Sequence, residues 1–398
     1  MDITIKPGKL EGNISAIPSK SQAHRLLICA AFSDRPTTLY CPDTNRDIEA
    51  TVSCLKSLGA LIARTEYGYA VTPITKLPKI ATMNCCESGS TLRFMLPIVG
   101  ALGTDATFYM DGRLPHRPLS PLQEELERMG CCISRPSFGT LRCTGKLHPG
   151  DYTIDGSVSS QFITGLLFAL SLLPGRSRLT ITGKIESAPY ITMTRNALSL
   201  FGVDTNPGTI HGSFPFHSPG NVQVEGDWSN AAFFLAANAL GSNIRVTGLS
   251  TNSPQGDRAV THCLSELDDY AVISAADTPD LVPILAVAAG SKKGATFTDI
   301  ARLRLKESDR VASIVAMLNN LGAEATASDN VLYVKPGKYH SCIISAEGDH
   351  RIAMSAAIAA TAADGPVTIL GAECVSKSYP SFWEDFARLG GIYEQYIR

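Results

Sequence analysis

One pattern recurs six times along the chain and restricts the fold more than any other feature. A short polar loop opens an apolar, Ala/Leu-rich segment: KSQAHRLLICAAFS from Lys20, SGSTLRFMLPIVGAL from Ser88, VSSQFITGLLFALSLL from Val158, DWSNAAFFLAANALG from Asp227, TPDLVPILAVAAG from Thr278 and GDHRIAMSAAIAATAA from Gly348. A β-rich stretch follows each one: TTLYCPD, ATFYMDG, SRLTITG, NIRVTG, ATFTDI and PVTILGA. Then comes an amphipathic helix that ends near a Leu-Gly or its equivalent, with apolar residues at helical spacing, as in Val311, Ile314, Val315 and Leu318. Most starts lie roughly 70 residues apart, and the step from the fourth to the fifth is shorter. Such a unit is larger than a solenoid repeat of about 20–50 residues. It holds two helices and several strands, enough for a small α/β subdomain. The first helix of each unit is apolar nearly all round, which calls for burial on every face. Helices enclosed by sheets are therefore expected. At roughly 100–200 residues per domain, 398 residues make two domains, and hence three units in each.

Composition narrows the function. Hydrophobic residues are 44% and charged residues 18%, a folded globular profile that excludes disorder. Lys+Arg 35 against Asp+Glu 37 leaves a net charge of −2, without the basic excess of a general polyanion binder, so nucleic acid is not the expected partner. The longest apolar run, near Phe162 to Leu173, falls short of the ~20 residues that span a bilayer. The segment MDITIKPGKLEG reads as a strand and lacks the apolar core of a signal peptide, so a cytoplasmic protein is expected. The 11 cysteines include no C-x-x-C pair, which removes the main support for zinc-ribbon and redox-motif readings and leaves the thiols as small apolar fillers. An ordinary doubly wound nucleotide-binding fold is disfavoured too. No G-x-G-x-x-G follows the first strand, no G-x-x-x-x-G-K-[ST] occurs, and the strands read as hairpins and bends.

The loops that open the helices carry the chemistry. They hold Lys20, Ser21, His24 and Arg25; Glu87, Ser88, Gly89, Ser90 and Arg93; Ser159, Ser160 and Gln161; and Asp349, His350 and Arg351. The loops before the second helices add Arg117, Ser187 with Tyr190, the run Lys306 to Arg310, and Lys377. A helix N-terminus presents unpaired N–H groups and a positive dipole end, so it suits anions. Serine there is ordinarily an N-cap, and an isolated His24 is ordinarily a structural hydrogen-bonder. Cations, however, are repelled by that dipole. Lys20, Arg25, Arg93 and Arg351 recur there together, which points to an anionic ligand carrying two phosphates, or a phosphate and a carboxylate. Two carboxylates, Asp280 and Glu307, stand among these cations. Each reads equally as a cap, an ion-pair partner or a proton carrier.

Taken together and in order, PSKSQAHR, ESGSTLRF, GRLPHRPLSPL, DGSVSSQF, SAPYITMT, LRLKESDR, EGDHRIAM and VSKSYPSF resemble the 5-enolpyruvylshikimate-3-phosphate (EPSP) synthase family over almost the whole chain. The resemblance implies a two-domain inside-out α/β barrel of six βαβαββ-type units. One discontinuous domain would comprise residues 1–18 and 225–398, the other residues 19–224. It implies transfer of the enolpyruvyl group of phosphoenolpyruvate to the 5-hydroxyl of shikimate 3-phosphate, the sixth step of the shikimate pathway toward chorismate and aromatic amino acids. It implies a tetrahedral adduct, no covalent enzyme intermediate, and no metal or organic cofactor. Both small-molecule substrates would bind a monomer, with no nucleic acid and no membrane involved.

By the same resemblance, Lys20, Ser21, Arg25, Ser159, Ser160, Gln161, Ser187, Tyr190, Asp280 and Lys306 would hold shikimate 3-phosphate. Lys20, Gly89, Arg93, Arg117, Gln161, Arg310, Arg351 and Lys377 would surround phosphoenolpyruvate, with Lys20 bridging the two. Asp280, Glu307 and Lys20 would be catalytic, Asp280 as base at the attacking hydroxyl and Glu307 at the C3 proton. Glu87 departs from the Asn of many members, Phe94 from a Pro, and Arg302 from an Asn of some members that touches shikimate 3-phosphate. Gly89 is expected to serve a positive-φ turn or a close approach at a helix start, and to border the place that the inhibitor glyphosate takes. Two rivals differ in substrate or class. A UDP-sugar enolpyruvyl transferase typically uses a Cys near Arg117, and residues Arg113 to Leu122 contain none. A non-catalytic relative of the RNA phosphate cyclases would have no need of Asp280 and Glu307.

Overall fold

All six apolar segments are helices, and so are the six amphipathic segments that follow them, in a computed structural model describing residues 1–205, 209–212 and 214–396. The apolar set comprises α1 (Lys20–Ala31), α3 (Gly89–Leu102), α5 (Ser160–Leu172), α7 (Trp228–Ala239), α9 (Val282–Ser291) and α11 (His350–Ala360). The amphipathic set comprises α2 (Arg46–Ser57), α4 (Leu122–Arg128), α6 (Ala188–Leu200), α8 (Val260–Glu266), α10 (Arg310–Leu321) and α12 (Phe382–Arg388). Burial follows the pattern. Every residue from Ala23 to Ala31 of α1, from Val282 to Gly290 of α9 and of α11 is buried. By contrast α10 buries one stripe that includes Val311, Ile314, Leu318 and Leu321.

The chain divides into two compact units, Met1–Ile17 with Glu225–Arg398, and Pro18–Val224. Among the described residues each completes three sheets from its own strands. In the Pro18–Val224 unit, Ile80–Asn84 and Asp105–Tyr109 pair in parallel around α3, and Thr140–Gly145 and Cys131–Ser134 extend that sheet antiparallel. Asp151–Asp155 and Arg176–Thr182 pair in parallel around α5, with Ile210–His211 antiparallel beyond. The other unit repeats the scheme. Ala271–Ser274 and Ala295–Thr298 flank α9, and Cys342–Ser345 and Val367–Leu370 flank α11. The strands read in sequence as hairpins and bends, and parallel pairs stand beside the hairpins. The parallel pair arises because a buried helix between two strands returns the chain in the same direction.

The two chain crossings break this rule in a reciprocal way. Glu11–Ser15 precedes α1 but pairs in parallel with Asn243–Thr247, the strand after α7. Asn221–Gln223 precedes α7 but pairs with Thr37–Tyr40, the strand after α1. Asp2–Lys6 likewise enters the sheet around α11, between Val367–Leu370 and Ile392–Tyr396. Each unit thus owns the strands that cover its helices, although they come from distant sequence. Inside the Pro18–Val224 unit α3 packs on α5, and Gly165 makes their close approach possible: a Cβ there would collide with the Arg93 carbonyl oxygen. In the other unit α7, α9 and α11 pack on one another.

The eleven cysteines are all free thiols, and Cys132 is the exposed one. Among the described residues no helix is long and apolar enough to cross a membrane, and no group of three His, Cys, Asp or Glu side chains is placed to hold a metal ion.

Candidate functional site

Most of the sequence-marked residues lie at or near helix N-termini in the two units, while Arg117 and Lys377 end short 3₁₀ turns. In the Pro18–Val224 unit, Lys20 is the first residue of α1, and its Nζ lies 2.9 Å from Asp47 Oδ2 on α2. Asp47 is a residue the sequence reading passed over. An acid in a helix first turn complements the dipole of any helix, so it gives no signal of its own. Arg25, one and a half turns on, is 2% exposed. It donates to the Ser21 and Tyr190 carbonyls (2.6 and 3.1 Å) and to the Thr194 and Thr164 hydroxyls (2.8 and 3.3 Å). Its guanidinium lies 5.2 Å from the Phe94 ring and 5.9 Å from the Tyr190 ring. Burial brings its pKa down to about 10, still charged at neutral pH. The departure at Phe94 is thereby explained as packing: its ring, 1% exposed, meets Arg25, His24 and Phe168.

Arg93 and Arg117 converge on Gly89. A Cβ on that glycine would stand 2.7 Å from Arg93 Nη1 and 2.6 Å from Arg117 Nη1. Gly89 is absent from the positive-φ glycines, so of the two expectations for it the turn fails and the close approach holds. Arg93 Nη1 also donates to Gln161 Oε1 at 2.8 Å, and Gln161 Nε2 donates to Ser90 Oγ at 3.0 Å. Gln161 follows Ser159, whose hydroxyl caps α5, and Ser160. Glu87, the departure beside this cluster, lies against Gly112, where a Cβ would overlap the Glu87 carboxylate. Ser187 stands before α6 with φ +55°, a strained left-handed backbone for a residue with a Cβ. Tyr190 sits on the first turn of the same helix.

The second cluster belongs to the other unit and centres on Asp280. Arg310 Nη1 lies 2.8 Å and Lys306 Nζ 3.5 Å from Asp280 Oδ1, and Arg351 Nη2 lies 3.3 Å from its Oδ2. Burial acts to raise the Asp280 pKa, but Arg351, Lys306 and Arg310 outweigh it and hold the carboxyl well below its usual range. Arg310, 1% exposed, also clamps Asp349 through Nε (2.8 Å) and Nη2 (3.4 Å), and reaches Glu307 Oε2 at 2.6 Å. Asp349 meanwhile caps α11 by accepting the Arg351 N–H. Burial pushes the Lys306 ammonium down to about 8, against the pull of Asp280. Arg302 donates to the Ala276 carbonyl at 2.9 Å, and Lys377 is 7% exposed at the end of a short 3₁₀ turn. Asp257, also passed over in the sequence, is 2% exposed and bonded to the Ser229 hydroxyl. Burial, then the nearby Asp280, raises its pKa to about 7 in spite of Arg351.

Among the described residues two anion-receptive clusters stand out, one serine-rich with paired arginines, the other with the Asp280 carboxylate held ionised by cations. The profile described as EPSP synthase (3-phosphoshikimate 1-carboxyvinyltransferase) matches residues 5–278 and 268–386. A protein named 3-phosphoshikimate 1-carboxyvinyltransferase from Clostridium kluyveri is 39% identical, with 99% of this chain and 98% of the relative covered. One of the same name from Clostridium beijerinckii is 36% identical, with 99% of each covered. Among solved structures, EPSP synthase from Acinetobacter baumannii shares the fold with a TM-score of 0.79 at 24% identity, covering 99% of this chain and 100% of that one. The enolpyruvyl transferase NikO from Streptomyces tendae does so with a TM-score of 0.77 at 18% identity, over 99% of this chain and 98% of that one. On that match and those end-to-end relatives, the chain belongs to the EPSP synthase family.

Proposed function

We propose that the two clusters divide the work of one reaction between them. The reaction is the family's, a 3-phosphoshikimate 1-carboxyvinyl transfer in the shikimate pathway. The shikimate 3-phosphate 5-hydroxyl attacks C2 of phosphoenolpyruvate while C3 gains a proton. Phosphate then leaves as that proton is lost. Lys20, Ser21, Arg25, Ser159, Ser160, Gln161, Ser187 and Tyr190 hold shikimate 3-phosphate, with Asp280 and Lys306 completing its site. Phosphoenolpyruvate is held by Lys20, Gly89, Arg93, Arg117 and Gln161, and by Arg310, Arg351 and Lys377. Arginine forks suit its phosphate and carboxylate. The protein acts as a cytoplasmic monomer without a metal or organic cofactor, and glyphosate competes for the phosphoenolpyruvate place.

The observation that carries this assignment is the set of three cations, Arg310, Lys306 and Arg351, placed 2.8, 3.5 and 3.3 Å from the Asp280 carboxylate. Three cations keep it ionised and therefore proton-accepting, yet hold its basicity low. Anionic substrates that take up charge from Arg351, Arg310 and Lys306 raise its proton affinity, so the base is strengthened only when it is needed. Glu307, tied to the same Arg310, handles the proton at C3.

A coupled phosphate-release assay tests the reading. Release that needs both shikimate 3-phosphate and phosphoenolpyruvate supports it. Release with a UDP-sugar acceptor instead, or none with either acceptor, contradicts it.

A further inference from the structure

Beneath the helix starts that carry Lys20 and Gly89 runs a buried chain of hydrogen bonds that the reaction itself does not use. His24 on α1 has no exposed surface. Its Nδ1 lies 2.7 Å from Thr51 Oγ1 on α2, which lies 2.7 Å from Thr91 Oγ1 on α3. Thr91 Oγ1 donates to Ser88 Oγ at 2.8 Å, and Ser88 caps α3 by accepting the Thr91 N–H. Thr51, Thr91 and Ser88 are all fully buried.

When every contact of the chain is a hydrogen bond, one proton per hydroxyl gives the chain one direction. Thr91 gives its proton to Ser88, with a weaker approach to the Asp47 carbonyl at 3.4 Å, so toward Thr51 it can only accept. Thr51 thereby gives its proton away and can only accept from His24. Nδ1 must therefore carry the imidazole hydrogen, and Nε2 is the bare acceptor. Nε2 is buried without a hydrogen-bond partner among the described residues, and the Phe94 ring stands edge-on at 6.3 Å. Protonation would set an unsatisfied N–H in that place. The charges around the ring are Asp47 on α2 and Lys20 and Arg25 on its own helix; burial outweighs them and lowers its pKa to about 3.

We infer that His24 is a positioning residue for the transfer: an Nδ1–H imidazole that ties α1 and α2 to the first turn of α3. Lys20 and Arg25 ride on α1, Asp47 holds Lys20 from α2, and Gly89 and Arg93 ride on α3. The chain of four side chains sets the register among them. The inference rests on the proposed function, which makes those residues the substrate contacts.

Two measurements on the full-length protein test it. Nitrogen-15 spectra of the histidine-labelled chain read the tautomer without any turnover. The expected His24 signal is a neutral imidazole with hydrogen on Nδ1, unchanged from pH 8 down to about pH 5, well above its lowered pKa. Steady-state kinetics then compare His24→Asn, whose amide nitrogen can take the Nδ1 place, with His24→Leu, which has no donor. Loss of one buried hydrogen bond is expected to raise the phosphoenolpyruvate KM about tenfold in His24→Leu, with kcat changed less, while His24→Asn stays within about twofold of the parent. Hydrogen on Nε2, titration near pH 6, or a parent-like KM in a folded His24→Leu would each overturn the inference. Failure of the functional reading would instead appear as an absence of phosphate release from the parent chain, with the tautomer signal unaffected.

Discussion

A methyl group at position 89 would press on two guanidinium ends at once, Arg93 and Arg117. Both are the far ends of long side chains, so Gly89→Ala should fold and turn over, but with its anion seat disturbed. The phosphoenolpyruvate KM should rise, and the glyphosate inhibition constant should rise further, because a clash repels the longer ligand outright. Inhibition of parent and variant at matched phosphoenolpyruvate saturation checks this, and equal constants would remove Gly89 from the pocket wall. Lys306 gives a pH signature. With its pKa lowered to about 8, the ammonium is present below that pH and lost as pH rises through it. The shikimate 3-phosphate KM should be flat below about pH 8 and rise about tenfold per unit above it. A rise that persists in Lys306→Met would assign the titration elsewhere. At this scale the cations were legible in the sequence because they stand where a helix dipole disfavours them. Asp47 and Asp257 were not. One looks like an ordinary first-turn acid, and the other acquires its environment from Asp280 and Arg351, over 20 residues distant in the chain.

The helices were legible from periodicity and the strand pairings were not. A run of four or five residues such as Ala271–Ser274 carries no mark of its partner, whereas the buried helix that follows decides it. The α3–α5 approach is the element-level contact on which the arginine pair depends, since Arg93 lends its carbonyl to the crossing and its side chain to Gln161. Gly165→Ala would force the helices apart. Overpacking of this kind costs about 1–3 kcal/mol, so a melting temperature several degrees lower and a raised phosphoenolpyruvate KM are expected. A parent-like melting curve would mean that α5 can shift without strain.

For the molecule as a whole, six recurrences in sequence become, among the described residues, six sheets, three in each compact unit. What repetition could not reveal is the exchange of strands at the two crossings, where Asn221–Gln223 serves the unit of α1 and Glu11–Ser15 the unit of α7. It follows that a fragment of residues 18–224 should fold by itself. One ending at residue 219 should melt well below it, because Thr37–Tyr40 loses its parallel partner. Equal melting curves would deny that strand its role. The central claim is that Asp280 and Glu307 move the protons of a transfer whose anions are held by the surrounding cations. Glu307→Gln keeps the shape and removes the ionisable group. The measurement is phosphate release at saturating shikimate 3-phosphate and phosphoenolpyruvate, beside calorimetric binding of shikimate 3-phosphate to the same variant. Turnover lowered by roughly 10²–10⁴ with binding retained is the predicted result. Turnover near that of the parent would contradict it.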